Sequence, residues 1–196
     1  MVNAKQVKEL RSKTGAGMMD AKIALQESSG DFKKAEEILR KKGQLKASKK
    51  SVRATGQGII DSYIHGEGRI GVLVEVNCET DFVAKNADFR SLVHDLALHI
   101  AASNPLYVTR EEILAEFVEK EKEIYREQAI AEGKPGPVLE KIVAGKLEKF
   151  YQETCLLEQP FVKDQDISVK ALIESKIASI GENIQVKRFA RYVLGE

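Results

Sequence analysis

The stretch Val72-Leu-Val-Glu-Val-Asn-Cys-Glu-Thr80-Asp81-Phe82-Val83-Ala-Lys-Asn86 changes its hydrophobic period midway, and that change decides the fold. Ile70, Val72, Val74 and Val76 alternate with smaller or polar residues, the period-two pattern of a strand with one buried face. Further on, Phe89, Leu92, Val93, Leu96 and Ile100 recur at spacings of three and four, the pattern of a helix with one apolar face. The connection, residues 77–83, should be short and polar, yet it carries Phe82 directly after the carboxylate of Asp81. Two readings of Phe82 stand at this point. It folds back beneath its own loop as an outlying core residue, or it projects as an apolar tip that enters another molecule.

Upstream, residues 58–65 read as a strand and Gly66-Glu-Gly68 as the turn of a β-hairpin. Downstream, a helix from Asn86 to Ser103 breaks at Pro105. Thr109-Arg-Glu-Glu112 has the form of a capping box and predicts a long charged helix with Ile113, Phe117, Ile124 and Gln128 on one stripe. Gly133-Lys-Pro-Gly-Pro137 turns the chain back into a helix carrying Val138, Ile142, Leu147 and Phe150. Residues 156–167 read as irregular. Ser168 caps a helix stopped by Gly181, and residues 184–193 form a last strand expected to pair with the hairpin. The fold class is therefore α+β: residues 58–196 make a core with an antiparallel sheet of about three strands covered by helices. The edges of so small a sheet invite pairing with another chain.

Residues 1–43 read as three short helices punctuated by glycine. Asn3 and Gln6 open the first as a capping box, and Asp31 caps the third, which is expected to end at Gly43. Such a bundle lies near the lower size limit for independent folding. Met18 and Met19 are adjacent, so a helix cannot turn both into one core; one is expected to face outward, as a gap-filler at the edge or as an adaptable contact. Residues 44–57 hold few large apolar groups and read as a basic linker, in which Lys46/Lys50 and Lys49/Arg53 are like-charge pairs that weaken a free helix.

The net charge is only +1, from 31 Lys/Arg and 30 Asp/Glu, which gives the whole chain no strong attraction to nucleic acid or a membrane. The balance hides an asymmetry. Residues 1–56 hold 14 Lys/Arg against six Asp/Glu, leaving 17 against 24 for the rest. A basic head on an acidic body suits steering toward a partner with an acidic face.

Cys78 and Cys155 form no C-x-x-C and read as buried thiols of a reducing compartment. Met-Val-Asn-Ala-Lys-Gln has no apolar signal region, and no apolar run is long enough for a bilayer, so a cytoplasmic protein is expected. His94 and His99, five apart, share no helix face and make poor metal co-ligands. Gly66-x-Gly68-x-x-Gly71 matches the dinucleotide fingerprint as text, but its third glycine falls inside a strand where the fingerprint needs a helix. With no nucleophile motif, metal set or cofactor site, the residues point to a two-part binding protein, not an enzyme. An adaptor acting through the bundle, or a nucleic-acid binder using residues 46–53, remain the alternatives.

Arg11-x-x-Thr14-Gly-Ala-Gly-Met-Met-Asp20, followed by Ala24-Leu25, Gly30-Asp31 and Ala35, resembles the N-terminal module of the elongation factor Ts family. Asn77-Cys-x-Thr-Asp-Phe-Val-Ala-Lys85 resembles the signature of that family's core, and Ile180-Gly-Glu-Asn-Ile184 a third segment. The resemblance runs in order over essentially the whole chain, and the bundle is also similar to ubiquitin-associated domains.

It implies a guanine nucleotide exchange factor that binds elongation factor Tu, GDP-bound or nucleotide-free, without binding nucleotide itself. Thr80, Asp81, Phe82 and Val83 would form the corner that disturbs the partner's Mg2+ and phosphate site, with Phe82 as an exposed wedge. Ile180 and Gly181 would lie beside it, while Arg11, Met18 and Met19 would touch the partner's nucleotide-binding domain. The chain departs from longer members in having one hairpin-plus-last-strand set and, on this reading, no inserted helical hairpin. Short members are expected to pair as homodimers through the core sheet. Ala190 stands in the last strand, so no disulfide is available there.

Overall fold

The computed structural model describes residues 2–196. In chain order the elements are α1 (Ala4–Thr14), α2 (Met18–Glu27), α3 (Phe32–Lys50), β1 (Gln57–His65), β2 (Ile70–Cys78), α4 (Asp81–Ala84), α5 (Ala87–Ser103), α6 (Ala115–Ala131), α7 (Gly136–Thr154), β3 (Pro160–Phe161), β4 (Asp164–Ser168), α8 (Val169–Ile180) and β5 (Ile184–Val193). Tight 3-10 turns occupy Arg110–Glu112 and Leu156–Glu158.

Alternating valines make β2 the centre of the sheet. It pairs antiparallel with β1 on one side and β5 on the other, giving the order β1-β2-β5. Val72, Val74, Val76 and Cys78 are buried on one face, beneath Phe89, Leu92, Val93, Leu96 and Ile100 of α5 and Val169, Ile173 and Ile177 of α8. This is the α+β arrangement expected from the hydrophobic periods.

Two local features set the register. A bulge between Glu75 and Val76 leaves Lys187 unpaired in β5, which increases the local twist. Gly58 has φ of +149°, and a Cβ there would stand 2.2 Å from the Val76 carbonyl oxygen, so only glycine lets β1 come this close. The opposite face of the sheet carries Ile60, Ile64, Leu73 and Tyr192, all exposed, with a Glu75 to Arg188 ion pair of 2.8 Å among them. No other described element covers it.

The N-terminal bundle has its own core of Val7, Leu10, Ala21, Ala24, Leu25, Ala35 and Leu39. The expected end of its third helix at Gly43 is corrected, because α3 continues without a break to Lys50. The reason is packing. At Gly43 the helix packs on α8, where even a Cβ would make only ordinary contact with the Ala178 methyl at 3.5 Å, and Ala47 is buried in the main core. The charges that weaken a free helix find partners, Lys46 on Asp20 at 2.8 Å and Lys50 on the Gly181 carbonyl. Half of the segment expected to be a linker, residues 44–50, is thus a docked helix, and residues 51–56 alone join it to β1.

Further corrections concern residues 105–168. Thr109 makes no side-chain cap; a 3-10 turn follows it, and α6 begins only at Ala115. Ile113 is drawn into a small core with Leu147, Tyr151 and Cys155, while Arg110 reaches Glu158 at 2.6 Å and Glu148 at 3.1 Å, so the segment folds as a clasp and not as a helix start. The packed side of α6 is Val118, Tyr125 and Ala129; Phe117 and Ile124 stay outside that core, a little over two-fifths exposed, with the Phe117 ring beside Phe150. On α7 the buried residues are Val143, Leu147 and Tyr151.

The chain turns between α6 and α7 at residues 132–135, so a helical hairpin is present where the family comparison by motif implied none. Residues 156–168 are not irregular but form a 3-10 turn and the β3-β4 ribbon. That ribbon is held by a buried polar relay: the His99 imidazole bonds the Val162 N–H at 3.2 Å and the Gln159 carboxamide at 2.9 Å.

Candidate functional site

Where β2 leaves the sheet, the chain makes one sharp corner. Thr80 is extended (φ −127°, ψ 158°), and its hydroxyl oxygen accepts the Val83 N–H at 3.4 Å, capping the single turn of α4. Ala84 is buried and Val83 half-buried against the main core, which fixes the inner side of that turn. Phe82 is therefore thrown outward and is 80% exposed; of its two readings, the projecting one is observed. Asp81 pairs with Lys85 at 2.7 Å, and that hydrogen bond holds its carboxyl below the usual carboxylate range. Beneath the corner the buried Cys78 thiol donates to the Thr80 carbonyl at 3.1 Å, and burial pushes its pKa up, away from a reactive thiolate.

A residue not singled out from the sequence organises this corner. The Glu182 carboxylate accepts the N–H groups of Glu79 (3.1 Å) and Thr80 (3.0 Å) and the Thr80 hydroxyl (2.7 Å). In return the Glu79 carboxylate accepts the Asn183 N–H at 2.6 Å, with the Arg53 guanidinium 3.4 Å away. Ile180 packs half-buried on the main core, and Gly181 ends α8 with φ of +95°. This clasp brings Ile180 and Gly181 beside Thr80. The signal was present in Ile180-Gly-Glu-Asn-Ile184, where a carboxylate and a carboxamide stand between a helix stop and a strand with no helical face to belong to.

Arg11, Met18 and Met19 lie around the α1-α2 turn of the bundle. Arg11 is exposed in the last turn of α1, its carbonyl accepting the Gly15 N–H at 2.8 Å. Met18 and Met19 are 48% and 64% exposed, so both methionines face outward, not one as expected. The bundle core is satisfied by Ala21, Ala24 and Leu25 without them. The two groups of candidate residues thus sit on separate hydrophobic cores, and α3 spans both.

Among the described residues, no three His, Cys, Asp or Glu side chains gather as a metal site, and no helix is long and apolar enough to cross a membrane.

A family model described as elongation factor TS matches residues 4–196. The chain is 61% identical over 196 residues to elongation factor Ts of Acetivibrio thermocellus, covering all of this chain and 91% of that protein. It is 61% identical to elongation factor Ts of Moorella thermoacetica, covering 97% of it, and 60% identical to that of Fervidobacterium nodosum, covering 99%. With full-length likeness to these proteins, the chain belongs to the elongation factor Ts family, whose members are nucleotide exchange factors for elongation factor Tu in translation elongation and not enzymes.

Proposed function

We propose that the corner of Thr80, Asp81, Phe82 and Val83 is the element that disturbs the Mg2+ and phosphate site of GDP-bound elongation factor Tu. Arg11, Met18 and Met19 hold the partner's nucleotide-binding domain, while Ile180 and Gly181 flank the corner. The observation that carries this reading is Phe82, 80% exposed on a turn pinned on its inner side. A large apolar side chain held in water gains by entering a partner, and a pinned backbone makes that entry directional.

Exchange follows from thermodynamic coupling: a factor that loosens GDP must be loosened by GDP to the same degree. A 10⁴-fold effect corresponds to about 5.5 kcal/mol. Burying one phenylalanine supplies about 1.5–3 kcal/mol, so Phe82 alone falls short. The bundle, residues 1–43, supplies further binding energy, and the basic segment 44–57 sets its distance from the core, residues 58–196. Because α3 is continuous across that boundary, the distance is set by a helix and not by a slack linker.

The uncovered sheet face of Ile60, Ile64, Leu73 and Tyr192 supports a homodimer formed through the core, by a face and not only by an edge. The reaction serves translation in the cytoplasm.

The test is release of a fluorescent GDP from elongation factor Tu. The wild-type chain is expected to accelerate it, and Phe82→Ala to lower that acceleration by about tenfold, equivalent to about 1.4 kcal/mol. Unchanged acceleration in the variant would move the mechanism to the rest of the interface.

A further inference from the structure

We infer that Glu182 is the positioning residue of the exchange corner, acting through the backbone of Glu79 and Thr80. The inference rests on the reading of the corner as the exchange element.

The paired register of β2 with β5 ends at Cys78 and Ile184, so the N–H groups of Glu79 and Thr80 lie beyond it. Glu182 takes both on one carboxylate oxygen, and its second oxygen takes the Thr80 hydroxyl at 2.7 Å. Bonds to a charged acceptor are roughly twice as strong as neutral ones. The hydroxyl bond has a second consequence. With its proton committed to Glu182, the Thr80 oxygen is oriented to accept from Val83, the bond that starts α4. One carboxylate therefore fixes both where the strand stops and where the turn begins. Phe82 is the second residue of a helix only four residues long, so rotating that turn moves the aromatic ring with it.

Glu182 is itself held from behind. The Gly181 carbonyl accepts from the Lys50 ammonium, and the buried Asn183 donates its backbone N–H to the Glu79 carboxylate and its carboxamide to the Arg53 carbonyl at 2.8 Å. The two acidic residues thus exchange acceptors, each binding the other's segment, with two cations from the end of α3 and the segment after it alongside. Preorganisation of this kind lowers the ordering cost of an interaction made only in the distorted partner complex.

The experiment is a double-mutant cycle of GDP release from elongation factor Tu, using the full chain as wild type, Glu182→Ala, Phe82→Ala and the double variant. Glu182→Ala is expected to lower the maximal release rate about tenfold. In the Phe82→Ala background it is expected to change the rate less than about twofold, because the ring that it positions is gone. Glu182→Gln can keep both backbone bonds on its carbonyl oxygen but loses the charge and turns an NH2 toward the Thr80 hydroxyl, so the rate should fall about threefold, and only where Phe82 is present; it carries the same cycle if the alanine form does not fold. Amide hydrogen exchange at Glu79 and Thr80 should accelerate in Glu182→Ala while β1 and β2 stay protected. Equal losses in both Phe82 backgrounds, or no loss at all with Phe82→Ala impaired, would overturn the positioning role alone. An unimpaired Phe82→Ala would overturn the corner reading and this inference together.

Discussion

The carboxamide of Asn183 donates to the backbone carbonyl of Arg53 at 2.8 Å, across 130 positions of sequence, and so ties the chain leaving α3 to the turn between α8 and β5. A second bond from the same amide reaches the Ser51 carbonyl at 3.3 Å. Asn183→Ala leaves these carbonyls to find other partners and should cost about 1–3 kcal/mol. Chemical denaturation would show it as a lower midpoint with an unchanged slope. Asn183→Asp should cost more, because a carboxylate has no proton to donate and would face two carbonyl oxygens.

Phe82→Ala should separate stability from activity. The side chain is mostly in water, so unfolding should shift by no more than about 0.5 kcal/mol. A melting curve matching wild type, beside an exchange rate reduced about tenfold, is the expected pair of results. A large loss of stability would mean that the ring packs inward in solution.

Gly58→Ala tests the close approach of β1 to β2. The new methyl would meet the Val76 carbonyl oxygen at 2.2 Å and the Asn77 Cα at 2.7 Å, both backbone atoms that cannot swing aside. The expected cost is about 3 kcal/mol, read by thermal or urea unfolding. A change below about 0.5 kcal/mol would show that this strand pair has slack.

His99 makes stability depend on pH. Burial lowers its pKa, against the raising effect of Gln159, and its Nδ1 must stay unprotonated to accept from Val162. Below about 6.5 the unfolded chain binds a proton that the native chain resists. Stability therefore falls as pH drops below that value toward the lowered native pKa, and this contribution is fully present above it. Comparing melting at pH 7.5 and 5.5, wild type should lose more than His99→Gln, whose starting stability is lower but whose pH dependence is flatter.

Leu73→Glu tests the proposed dimer. Leu73 is half-exposed at the middle of the uncovered sheet face, between Ser62 and Ala190 on the neighbouring strands. Light scattering should give the mass of two chains for wild type and of one for the variant, since a carboxylate desolvated at a face-to-face contact is costly. A wild-type monomer at working concentration would remove the dimer.

The sheet, its order and the helix over it were legible because Val72, Val74 and Val76 keep a strict period of two and Phe89 to Ile100 a period near four. The corner at Thr80–Val83 stood out because Phe82 breaks a polar connection. What was not legible depended on partners distant in sequence. Gly43 looked like a helix stop until Ala178 of α8 came to rest against it, and Thr109 looked like a cap until Arg110 was drawn to Glu148 and Glu158. Glu182 gave no periodic signal, since its meaning is the pair of unpaired N–H groups that it serves. The β3-β4 ribbon is short and polar, and it depends on buried His99 and Gln159, which no alternation announces.

The unbroken run of α3 has a geometric consequence. A helix advances about 100° and 1.5 Å per residue. One residue inserted near Gly43 would therefore swing Met18 and Met19 roughly a quarter-turn around the axis while Phe82 stayed in place. Four inserted residues would bring them nearly back into phase, about 6 Å farther away. The chain behaves as a caliper whose jaws are set by angular phase, so the length of α3 in this protein is constrained in whole helical turns rather than in residues.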